Sequence, residues 1–128
     1  ARVMVDMAKA GIYFPYSSII STRSYLKNKR PVALAFMKAY SEGVKRMIND
    51  KPFSIAVIKK YMREDDAEIL ETIYKYALDY IVRVPYLNKE GIVEVLRQST
   101  DPEAKSALPD NFIDDGLVRE LEQKGLYR

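Results

Sequence analysis

Three groups of residues have types and spacings from which chemistry can be built. Tyr13, Phe14 and Tyr16 crowd a turn around Pro15. Aromatic rings on such a turn line a cleft, or else form a lid on a core, because they offer large contact area. Glu64, Asp65, Asp66 and Glu68 concentrate carboxylates, and Asp110, Asp114 and Asp115 form a second acidic group. Lys27, Asn28, Lys29 and Arg30 have the charge to meet phosphate. The second acidic group lacks the alternating oxygen ligands and twelfth-position Glu of a calcium loop. Asp114 and Asp115 read more simply as helix caps, and the Glu64–Glu68 cluster as a solvated helix start, where the macrodipole favours negative charge. The basic run reads more simply as a solvated loop before a helix. No catalytic residue, metal or cofactor is expected.

Two absences narrow the chemistry further. Without Cys there is no thiolate nucleophile, disulfide or zinc knuckle. Without His the commonest general base near neutral pH is missing. The five glycines at 11, 43, 91, 116 and 125 are isolated, so no phosphate-cradling loop exists. The chain is therefore not expected to be an enzyme.

The elements that would position these residues are mostly helical. With 128 residues, 48% hydrophobic and 30% charged, the chain is the size of one ordinary domain or part of a larger one. Val3 to Asp6 is β-rich, and Ile19 and Ile20 between hydroxyl residues read as a short buried strand. Two short N-terminal strands are thus expected, followed by four or five helices. The first long helix should start near Pro31 with Asn28 or a neighbour as cap. On it Val32, Phe36, Met37, Ala39, Tyr40, Gly43, Val44, Met47 and Ile48 share an apolar arc of about 180°. Gly43 within that arc implies close approach by a neighbouring element. Asp50 is placed to cap the next helix, with Phe53, Val57 and Tyr61, or else Ala56 and the Lys60 stem, as its buried side. A third helix carries Ile69, Leu70, Ile73, Tyr74, Tyr76, Ala77, Tyr80 and Ile81 on a packing face. Asn88 caps a shorter one bearing Ile92, Val95 and Leu96, and the last starts at Asp114 or Asp115 and stops at Gly125.

Charge is distributed unevenly. Residues 1–63 hold thirteen Lys/Arg against three acids, and residues 64–128 hold eight against fifteen. The acidic half can answer the basic half within one molecule, so a nucleic-acid partner is not expected. Ala1 in place of an initiator Met points to a processed chain or an excised piece.

The order of segments resembles a known family. The matching stretches are Val3-Met4-Val5-Asp6 with Gly11-Ile12-Tyr13-Phe14-Pro15-Tyr16, then Ser21-Thr22-Arg23-Ser24-Tyr25-Leu26 and Val32 through Gly43. Near the end they are Asn111-Phe112-Ile113-Asp114-Asp115 with Leu117 through Leu121. From Val3 through Tyr127 the chain resembles the C-terminal portion of the nitrate/sulfonate/taurine-type periplasmic solute-binding proteins, whose family includes the pyrimidine-precursor synthases. The resemblance implies the C-terminal fragment of an α/β type II periplasmic-binding-protein fold, mostly α with two short N-terminal strands. Residues 1–27 would be hinge-side strands and an aromatic turn; residues 28–128 would be a helical part packing on a missing N-terminal lobe. It also implies extracytoplasmic capture of a small anionic or heteroaromatic solute for an ABC transporter permease. Tyr13, Tyr16 and Ser17 would border the ligand cleft. The Cys-rich motif of the pyrimidine synthases is absent, which argues against that chemistry.

The wide apolar arcs support an alternative that does not need the resemblance: a self-contained helical protein-interaction module. A fragment would instead expose surface meant for the missing lobe and self-associate as a homo-oligomer.

Overall fold

A computed structural model describes residues 4–6, 10, 11, 15 and 17–128. The Thr22 side chain accepts from the Tyr25 N–H at 3.1 Å and opens α1 (Arg23–Asn28). After the single residue Lys29 comes α2 (Arg30–Asn49), with Pro31 in its first turn, where a missing N–H costs nothing. Asp50 ends α2 and starts α3 (Lys51–Met62), its carboxylate accepting from the Phe53 N–H at 3.1 Å. Arg63 turns the chain with a left-handed φ of 55°. Asp66 then caps α4 (Ala67–Tyr80) by accepting from Glu68 and Ile69 at 2.8 and 3.0 Å. Asn88 caps α5 (Lys89–Gln98) through the Gly91 N–H at 3.1 Å. Two 3₁₀ turns, Pro102–Ser106 and Pro109–Phe112, lead to α6 (Gly116–Gln123). Gly125, at φ 80°, closes α6. Its N–H reaches the Glu122 carbonyl at 2.9 Å and the Leu126 N–H reaches Leu121 at 3.1 Å, a Schellman pairing.

The largest core is local to two helices. Ala33 and Met37 of α2 pack on Leu117, Val118 and Leu121 of α6, with Leu26, Leu34, Val84, Leu126 and Tyr127 around them. The Ser41 and Tyr127 hydroxyls share a 2.9 Å hydrogen bond at its edge. Where α2, α3 and α4 meet, Val44, Ser54, Leu70 and Tyr74 are buried. The α3–α4 pair is antiparallel: Lys51 lies 2.8 Å from Glu71, and Lys59 lies 2.7 Å from Asp65.

Several expectations are corrected. Among the described residues there is no strand, so the two expected N-terminal strands, and the α/β type II binding fold they would belong to, are replaced there by an all-helical array; Val3, at the start of the first expected strand, lies outside the described residues. Ile20 is 89% exposed rather than buried. The reason is physical. A strand persists only when a neighbour completes its hydrogen-bond ladder, and β-rich residues without one stay irregular. The segment containing Tyr25 and Leu26 forms α1, a helix absent from the sequence reading.

The buried side of α3 is also different. Ser54 is buried and Ile55 and Ile58 are half-buried, whereas Phe53, Val57 and Tyr61 face solvent. Gly43 has no close neighbour, and a Cβ built there would meet nothing within 4 Å. Close approach to a glycine occurs instead at Gly91, where a Cβ would come within 3.0 Å of the Pro15 ring.

Candidate functional site

Large apolar side chains left in water are the most distinctive feature of this helical array. The chain exposes 10364 Å², whereas a compact monomer of 14.8 kDa exposes about 7000 Å². Part of the exposed surface is apolar and runs in stripes along the helices. On α2, Val32, Phe36 and Tyr40 recur every four residues and remain outside the α6 contact. At about 100° per residue, Gly43 falls in the middle of that stripe. The apolar arc of α2 is thus split lengthwise. The half carrying Ala33, Met37 and Val44 is buried, and the half carrying Val32, Phe36 and Tyr40 is not.

On α3 the stripe is Phe53, Val57 and Tyr61, again at four-residue spacing, with Tyr61 76% exposed. Cations lie over its rings: the Arg46 guanidinium sits 3.6 Å from the Phe53 centroid, and the Lys60 ammonium 5.5 Å from the Tyr61 centroid. The Arg46–Phe53 stack joins the α2 and α3 stripes at the corner between the helices. Residues 51–63 hold four cations and no acid. Among the described residues neither Lys60 nor Arg63 has a carboxylate partner.

The exposed side of α4 has the opposite electrostatic character. Ile69 and Tyr76 are 46% and 65% exposed, and the Tyr76 ring is tilted against Tyr80 at 4.5 Å. The Tyr80 hydroxyl donates to the Asp6 carboxylate. That carboxylate, first by this hydrogen bond, pushes the Tyr80 phenol up to about 12. Residues 64–80 hold six acids and one lysine. On the α4 wheel Glu68 and Asp79 fall on the exposed side with Tyr76, away from the buried Leu70 and Tyr74.

The residues expected to border a ligand cleft do not form a site here. Tyr13 and Tyr16 lie outside the described residues, and Ser17 is an exposed residue in a bend. A groove of about 600 Å³ lies between α2 and the end of α6 and is open to solvent. Leu34, Leu121 and Leu126 form its floor, with Lys38, Lys45 and Lys124 at its rim. Each lysine is already engaged: Lys38 with Glu42 at 3.7 Å, Lys45 with the Arg128 carbonyl at 3.2 Å, and Lys124 with Glu120 at 2.7 Å. Among the described residues no cluster of acids is arranged to hold a metal ion. Asp50 caps α3 as expected; of the Asp114 and Asp115 pair, Asp115 takes the N-cap position without a side-chain capping bond, and Asp114 accepts from the Gly116 N–H at 2.9 Å.

Sequence reasoning missed the α3 stripe because that helix is apolar on two sides. Ile55 and Ile58 compete with Phe53, Val57 and Tyr61 for burial, and only the position of neighbouring helices decides between them. The available signal was that doubling itself. A helix with apolar residues on opposite sides needs two partners.

No family pattern, curated protein or solved structure matches the chain.

Proposed function

We propose that the chain is a helical protein-interaction module that docks a protein partner through the apolar stripes of α2, α3 and α4. The observation carrying this reading is the exposure of Phe53, Val57 and Tyr61 on a helix whose other side is already packed. Contiguous exposed apolar surface costs solubility, and monomers keep it small unless it serves an interface. The ring-and-cation composition fits the same role, since aromatic residues and Arg are enriched where proteins meet. The action is capture without covalent change.

Solute capture and delivery to a permease, which the resemblance implies, would need a cleft enclosed by two α/β lobes. With no strand among the described residues and an open groove whose lysines are all engaged, that reading has no observation in its favour.

The test is site-specific photo-crosslinking in cells that express the chain. A benzophenone amino acid at position 57 is compared with one at position 119, where Arg119 is exposed and distant from the stripes in sequence and helix. Discrete protein adducts from position 57 and none from position 119 are the expected result. Absence of protein adducts at position 57 overturns the reading.

A further inference from the structure

The α3–α4 hairpin carries two apolar stripes with opposite charge surroundings, and its geometry turns them the same way. Lys51 and Glu71, 2.8 Å apart, mark one flank shared by both helices. On the α3 wheel the Phe53–Val57–Tyr61 stripe lies roughly 120° round from Lys51, and on the α4 wheel Ile69 and Tyr76 lie roughly 150° round from Glu71. Both stripes therefore occupy the flank opposite that ion pair. One is edged by Lys60 and Arg63, the other by Glu68 and Asp79.

From this juxtaposition, and resting on the docking reading above, we infer that the occupant of the face is the same face of a second copy. The basic stripe of α3 lies on the acidic stripe of α4 from its partner, and the reverse contact forms at the same time. A two-fold axis relates the two contacts, so the interface closes on itself as a four-helix arrangement and leaves no edge for further growth. At the loop end of the hairpin Lys60 and Arg63 then meet Glu68 of the second copy, a carboxylate in place of the partner that they lack among the described residues. At 12 and 14 residues, α3 and α4 span only about 18–21 Å. The contact is thus at the small end of specific interfaces, and its affinity falls among transient rather than obligate pairs.

Sedimentation equilibrium of the purified chain from about 1 to 500 μM, at low and high salt, tests the proposal directly. A monomer–dimer equilibrium weakened by salt is expected, because the charges flanking the stripes are solvent-facing and screened. The pairing is tested with two charge-reversed variants, Lys60→Glu with Arg63→Glu, and Glu68→Lys. These three side chains lie on the surface, and far-UV circular dichroism checks that the helices persist. Each variant alone places like charges across the axis, and its dissociation constant should rise at least tenfold. Mixed in equal amounts, the two should restore a dimer, since every contact again joins opposite charges. A wild-type chain that stays monomeric throughout at low salt overturns the inference, as does a mixture no stronger than its components. A protein adduct from position 57 alongside a monomeric wild type would uphold the docking reading while overturning the second copy as its occupant.

Discussion

The Tyr74 hydroxyl, on a side chain buried in α4, donates to the Met47 carbonyl of α2 at 3.1 Å. Met47 lies in the last turn of α2, where carbonyls have no intrahelical partner. Ser54 of α3 reaches the same oxygen at 3.2 Å, but its single proton is shared with the Asp50 carbonyl at 2.9 Å. One main-chain oxygen therefore ties three helices together, with Tyr74 as its principal donor. Tyr74→Phe keeps the ring and removes the donor, and should cost about 1 kcal/mol. Tyr74→Phe combined with Ser54→Ala should cost more than the two single changes added, since the carbonyl then loses both donors. Denaturant melts of the single and double variants measure this; strict additivity would show that the two bonds act independently.

The same substitution should have opposite signs at two glycines. Gly43 lies in open space within α2 with no positive φ, so Gly43→Ala should stabilise by about 0.5–1 kcal/mol through helix propensity alone. Gly125 holds φ 80° and anchors the Schellman closure of α6, so Gly125→Ala should destabilise by about 1–2 kcal/mol. Thermal melts of the two variants decide. A destabilised Gly43→Ala would reveal a close neighbour that the helical array lacks.

Local chemistry made the helix ends legible. Asp50 and Asn88 cap where their position before an apolar run places them, and Gly125 stops the last helix. These features depend on three or four consecutive residues. Ile19 and Ile20 were misread because a strand is defined by a partner that may lie anywhere in the chain, and none pairs with them among the described residues. The same non-locality hid the candidate surface. Phe53, Val57 and Tyr61 have the period of a buried face, and only the placement of α2 and α4 against Ser54 and Ile58 leaves them in water. For Gly43 the apolar surroundings on the wheel were read correctly, but the element that would cover them is not part of the array.

The array should also lose stability in acid, and the carboxylates responsible can be named. Lys51, chiefly by its hydrogen bond, holds Glu71 below its ordinary 4.5, and this pair bridges α3 to α4 at 2.8 Å. Lys124 and then Arg30 hold Glu120 below the same value, and the Arg30 contact bridges α6 to α2 at 2.9 Å. A carboxylate whose folded pKa lies below its unfolded one contributes stability that is fully present above the unfolded value. That contribution disappears as pH falls through the folded value. Melting temperature should therefore be flat from neutral pH down to about 5 and then fall. Both pairs face solvent, so each effect is small and weakens with added salt. Glu71→Gln and Glu120→Gln should each lower stability near neutrality and flatten the acid limb. Glu94 is an internal control: Arg97 and then Gln98 draw its carboxyl down to about 2, yet all three residues lie within α5. Its carboxyl resonance should titrate near 2 without changing the inter-helix contacts. An acid limb identical in the wild type and both glutamine variants would move the origin of acid lability away from these two bridges.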